Sequence, residues 1–222
     1  MTLVLRFGAF LFFDADFDAG LLTNLAFSLI MNTEILTQGH NMEKKVKIIL
    51  TTQKTSMSEA DFASVQALLE HAILREQEGS STLEDELEKI FSEIDGEDDT
   101  SELITEGTVT LKTSGSVIIK YAESELTGME GCETKIMFNG FKPKFVVMMR
   151  EGMVNTSLSF EEGKRHTTSY NTPYMPFRLC VNTLRVDNTF ADNGEIVIEY
   201  LLEIRGLSTE RNILKIKVNP IA

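Results

Sequence analysis

One short run holds the side chains best suited to chemistry, Arg165-His-Thr-Thr-Ser-Tyr170. On a strand, successive side chains point to opposite faces, which puts His166, Thr168 and Tyr170 together and Arg165, Thr167 and Ser169 behind them. The first trio offers a small ligand an imidazole, a hydroxyl and a phenol. The plainer alternative is that these groups satisfy hydrogen bonds of neighbouring strands. Tyr174, between Pro173 and Pro176, reads as a packed plug beside them. The candidate ligand-binding set is therefore His166, Thr168, Tyr170, Tyr174 and Arg165.

A second cluster is Glu123, Glu125 and Glu130, close to Gly128 and Gly131. Paired carboxylates do acid–base work when their surroundings separate their pKa values. A glycine-rich turn is expected to keep these wet, so a solvated hairpin is the stronger account. Counted as a calcium loop, Asp95, Glu97, Asp99, Ser101 and Glu106 fall at positions 1, 3, 5, 7 and 12. Thr100 stands where the sharp turn needs glycine, and no dedicated site is expected. His40, His71 and His166 have no ligand spacing, and Cys132 and Cys180 form no Cys-x-x-Cys pair. Phosphate-binding glycine loops and serine-nucleophile elbows are absent. Neither a metal nor a cofactor is expected, nor is a catalytic residue assigned; Cys180 reads by default as a small buried hydrophobe.

The elements that must position these groups sit in a chain of 222 residues, 42% apolar and 25% charged, with 21 basic against 34 acidic side chains. A net charge of −13 disfavours a general nucleic-acid binder. Two cysteines fit a reducing, cytoplasmic setting. The acidity is concentrated: Glu76 to Glu106 holds 13 acidic residues and one lysine, a net of −12 that leaves −1 for the rest. Such a block is a solvated helix face, or more sharply a docking surface for a basic protein. Residues 1–41 hold six of the 14 phenylalanines in two apolar bursts, Leu3 to Phe13 and Leu21 to Met31. Both are short of a membrane span and no membrane association is expected. This segment is either an extension packed on the body or lies upstream of a native start at Met42; the second reading is favoured.

From Met42 the pattern changes twice. Val46 to Thr52 reads as a strand. A capping box at Ser56–Glu59 then leads into Phe62, Val65, Leu69, Ala72 and Ile73 at helical spacing. A second box at Ser81–Glu84 precedes Leu83, Leu87, Ile90, Phe91 and Ile94. Both stripes are expected to lie on the body or on each other. From Leu103 on, turn signals recur at Gly115, Asn139-Gly140, Gly152, Gly163 and Asn193-Gly194, with period-two alternation between them. About ten strands result, and closure into a barrel removes their exposed edges.

The phrases Ile104-Thr-Glu-Gly107, Glu125-Leu-Thr-Gly-Met-Glu-Gly131, Gly163-Lys-Arg-His166, Tyr170-Asn-Thr-Pro-Tyr174 and Ile198-Glu-Tyr-Leu-Leu-Glu203 occur in this order. By them the chain resembles the YwiB-like family of calycin-type (lipocalin-like) bacterial barrels, over roughly residues 43–53 and 94–219. The resemblance implies a barrel and brings no activity with it. Residues 54–93 depart from it as an inserted helical pair, and Met175-Pro176 stands where a small residue is expected.

The expected fold is thus mainly β, an antiparallel up-and-down calycin-like barrel over 42–222 with helices inserted at about 54–93 between its first two strands. The leading functional reading is a non-enzymatic barrel that takes a small molecule in or at the mouth of its interior. A filled barrel whose acidic insertion meets a basic protein is the alternative, and an enzyme using His166 with Glu123 or Glu125 a distant third.

Overall fold

The computed structural model describes residues 41–75, 82–94, 96, 98–204 and 208–221. Expectations for residues 1–40, the box at Ser81, and the Asp95 and Glu97 positions of the calcium loop lie outside these. Among these residues ten strands form one antiparallel sheet: β1 (Met42–Met57), β2 (Asp98–Leu111), β3 (Ser116–Ala122), β4 (Glu133–Asn139), β5 (Lys142–Glu151), β6 (Thr156–Glu161), β7 (Arg165–Asn171), β8 (Pro176–Thr189), β9 (Glu195–Ile204) and β10 (Ser208–Pro220). Helices α1 (Glu59–Arg75) and α2 (Thr82–Glu93) are inserted between β1 and β2, and α3 (Phe190–Asn193) is a single turn between β8 and β9.

The spatial order is β6-β5-β4-β3-β2-β1-β10-β9-β8-β7. Each strand lies beside its sequence neighbour, and β1 joins the two halves by pairing with both β2 and β10. The result is a nearly closed antiparallel barrel. Its seam falls between β6 and β7, which share one bridge at Asn155 and Asn171, with backbone hydrogen bonds of 3.0 Å in each direction. Their connecting turn is tied to β8 instead: Gly163 donates to the Thr183 carbonyl at 2.9 Å, and Thr183 donates to that of Lys164 at 3.0 Å. A register shift in β8 between Thr183 and Arg185 accompanies this change of partner.

Alternation sorts the strands as their sequences demand. Ile196, Ile198 and Tyr200 of β9, Leu214, Ile216 and Val218 of β10, and Leu158 and Phe160 of β6 all enter one buried cluster. Each fully buried aliphatic or aromatic side chain there contributes about 2 kcal/mol. One end of the barrel is mainly apolar within and is stoppered by Phe190, whose ring meets that of Phe138 edge-on at 5.1 Å between centroids. Gly107 of β2 faces inward, and a Cβ there would collide with the Lys120 carbonyl and the Ile48 side chain, so only glycine fits.

The helical pair lies on the outer wall, as its stripes predict. Phe62, Val65, Leu69, Leu87, Ile90, Phe91 and Ile94 form a satellite cluster with Met57 and with Leu184 and Leu201 of β8 and β9. Arg211 of β10 stacks its guanidinium 3.9 Å from the centre of the Phe91 ring, while bonding Glu199 at 2.9 and 2.6 Å.

Several local expectations need correction. The first helix is capped two residues later than predicted: β1 runs on to Met57, and Ser58 Oγ accepts from Asp61 N at 3.2 Å while donating to Asp61 Oδ2 at 2.5 Å. Strand β2 begins at Asp98, five residues before the expected Leu103, with Asp99 and Ser101 paired to β1. The Asn139-Gly140 turn is not a mirror-image turn, which would need positive φ at Asn139. Asn139 Oδ1 instead accepts from Phe141 N at 2.9 Å beside a register shift. Asp192-Asn-Gly194 closes α3 rather than a two-residue hairpin, with Gly194 at φ 72°.

Candidate functional site

Opposite the apolar stopper, the same inward positions turn polar. On β1, Val46, Ile48 and Leu50 are followed by Thr52 and Lys54; on β10, Leu214 is preceded by Asn212 and Glu210; on β3, Ile119 is followed by Tyr121 and Glu123. These groups line a cavity of about 680 Å³ with an aliphatic floor that includes Leu50, Leu103, Met148 and Leu202. That space suits a drug-sized ligand.

Glu123 is its most constrained group. The side chain is only 1% exposed and accepts from Thr134 Oγ1 of β4 and, at 3.3 Å, from Arg150 Nε of β5. Burying a carboxylate requires such compensation. Tyr121 joins the same network through Thr134 and Glu123. Burial first, and then the Glu123 charge, push its phenol well above the ordinary tyrosine range, with Arg150 opposing. Tyr200, across the cavity, is pushed up to about 12, mainly by burial, with Arg150 lowering it and Glu210 raising it.

The loop after β3 covers part of this mouth. Glu125–Thr127 makes one 3₁₀ turn, and Gly128 and Gly131 take φ of 67° and 79°, conformations that glycine adopts without strain. The loop thereby carries Met129 to within 3.9 Å of the Tyr170 hydroxyl on β7.

The sequence-derived candidates separate. Tyr170, His166 and Thr168 do share the inward face, opposite Phe177, Val181 and Leu179 of β8. Of the three, only Tyr170 lines the cavity. His166 sits at the turn end of β7, with Nε2 3.4 Å from Glu161 Oε2. Glu161 is in turn held below the usual carboxylate range, chiefly by its hydrogen bond from Lys164. Arg165 points outward and pairs with Glu203 at 2.5 Å. Tyr174 is no plug: its side chain is 95% exposed, because Thr172 caps the turn and lifts residues 173–175 away from the wall. Cys180 is half-buried and lies 3.2 Å from Thr167 Oγ1 on the outer face, rather than in the core.

Sequence reasoning missed Arg150, Tyr200, Glu210 and Asn212; it singled out Glu123 but not its burial. A wet hairpin was expected for Glu123, yet the alternation Val117, Ile119, Tyr121 continues inward to it one step past the strand end. Glu125 and Glu130 are exposed as expected. Among the described residues no three His, Cys, Asp or Glu side chains converge as a metal site, and no helix is long and apolar enough to cross a membrane.

No curated protein matches the chain. The fold is similar to the crystal structure of the ywiB protein from Bacillus subtilis, with a TM-score of 0.53 and 15% identity, over 80% of this chain and 94% of that one. Residues 87–216, more than half of the sequence, match a domain of unknown function, DUF1934. This stretch runs from α2 through the barrel into β10 and includes Glu123, Arg150, Tyr170 and Tyr200. The chain therefore belongs to the DUF1934 family.

Proposed function

We propose that the protein binds a small molecule inside the polar end of its barrel. The observation that supports this most is the cavity of about 680 Å³, an aliphatic space with polar groups at fixed positions. A binding site needs this combination, with apolar area for affinity and a few placed polar groups for orientation. Tyr170 is the contact this reading keeps from the residues first singled out. His166, Thr168, Arg165 and Tyr174 would act at the mouth only through movement of β7 or its turn. The neighbour-by-neighbour strand order supports a calycin-type classification, and two free cysteines support a cytoplasmic setting.

The test is mass spectrometry of the full chain purified from its own host. A native spectrum heavier than the denatured one by a discrete small-molecule mass is expected, and Leu202→Trp, which fills the cavity, should abolish the difference. Identical native and denatured masses, with no small molecule in the extract, would overturn the reading.

The alternative is a basic protein partner for the insertion. The exposed Asp85, Glu86 and Glu88 of α2 support it, since the apolar stripe of that helix is already spent on the barrel wall. Charge reversal of these three residues should abolish capture of any such partner. Undiminished recovery would end the idea.

A further inference from the structure

We infer that the ligand is an organic cation, an ammonium or amidinium group on an apolar body. This rests on the proposed function and narrows it. Six charged side chains among the described residues line the cavity: Asp99, Glu102, Glu123 and Glu210 against Lys54 and Arg150. Arg150 and Glu123 neutralise each other at 3.3 Å, so the deepest positive charge is already answered by a buried carboxylate. The remaining described groups, three carboxylates and one lysine, give the mouth a negative field. Low-dielectric walls concentrate such a field on whatever enters.

The aromatic lining points the same way. Tyr121, Tyr170, Tyr200 and Phe177 all contribute to the wall, and the electron-rich faces of such rings attract cations. Glu210 lies near enough to the Tyr200 phenol to act on its ionisation, so a carboxylate and a ring flank the same part of the space. An ammonium group fits between them while its apolar body rests on Leu50 and Leu202. An anion of the same shape would meet net repulsion at the mouth, or would have to draw Arg150 away from Glu123. Parting that buried pair carries a large penalty.

Three fluorescent probes with the same dansyl body separate the possibilities: dansylcadaverine (a primary amine), 6-(dansylamino)hexanoate (a carboxylate) and N-pentyl dansylamide (neutral). Each is titrated into the full chain at low salt. The amine is expected to bind about tenfold more tightly than the carboxylate, with the neutral probe between them. Glu210→Gln should weaken the amine several-fold and leave the neutral probe unchanged; if that variant does not fold, Glu102→Gln at the exposed rim supplies the same comparison. A carboxylate that binds as tightly as the amine, or an amine affinity untouched by either variant, overturns the cation assignment while leaving the cavity reading in place. Failure of all three probes to bind overturns both.

Discussion

Without the Arg150 guanidinium, the Glu123 carboxylate would remain buried beside Thr134 and Tyr121, which are neutral donors. Breaking a buried pair from one side costs about 3–5 kcal/mol, most of it the stranded charge. Arg150→Met should therefore lower stability by about 3 kcal/mol in urea unfolding, and adding Glu123→Gln should restore much of that loss. Simple additivity of the two would mean the pair is not coupled. Tyr200 gives a pH signature. Its pKa rises from 10.0 unfolded to about 12 folded, so the folded state holds the proton more tightly. Its contribution is full below pH 10 and is lost as pH climbs toward 12, on the order of 2–3 kcal/mol. Tyr200→Phe should flatten the fall in stability across that window; an unchanged slope would show that the phenol is not held neutral by the fold. The burial of Glu123 was hard to read because its partner lies 27 positions away, on β5, brought near by the registers of β3 with β4 and β4 with β5. Tyr170 was legible because strand alternation is a local property.

At the scale of elements, the outer helices and the barrel wall are separable pieces of one structure. Phe91 is gripped between the satellite cluster and Arg211 but only partly buried, so Phe91→Ala should cost about 1–2 kcal/mol, less than the same change at a core ring. Hydrogen exchange should then quicken in α1 and α2 while β1 and β10 keep their protection; equal loosening of all four would contradict independent docking. Gly107→Ala should destabilise by about 1–3 kcal/mol, because the new methyl meets the Lys120 carbonyl, which cannot yield, as well as the Ile48 side chain. Strand positions and helix stripes were legible because each is written in periodicity. The seam was not. Glu161-Glu-Gly-Lys164 has the composition of an ordinary hairpin turn, and nothing local reveals that Thr183 of β8 takes up its backbone groups.

For the whole molecule, the interior changes character along the barrel axis. Mainly apolar side chains pack one end, leaving about 240 Å³ beside Phe190, and mixed polar, aromatic and aliphatic ones leave about 680 Å³ at the other. Closure itself followed from ten amphipathic strands that needed to hide their edges. Hollowness did not, because it depends on whether long side chains at the mouth turn inward, which is decided by packing from many strands at once. The most direct test is a high-resolution crystal structure of the purified full chain, read for what occupies the volume between Tyr121, Tyr170 and Leu202. The account predicts a space of about 680 Å³ holding a bound molecule or ordered solvent. A mouth packed shut by Met129, Tyr170 and Phe177 would contradict it.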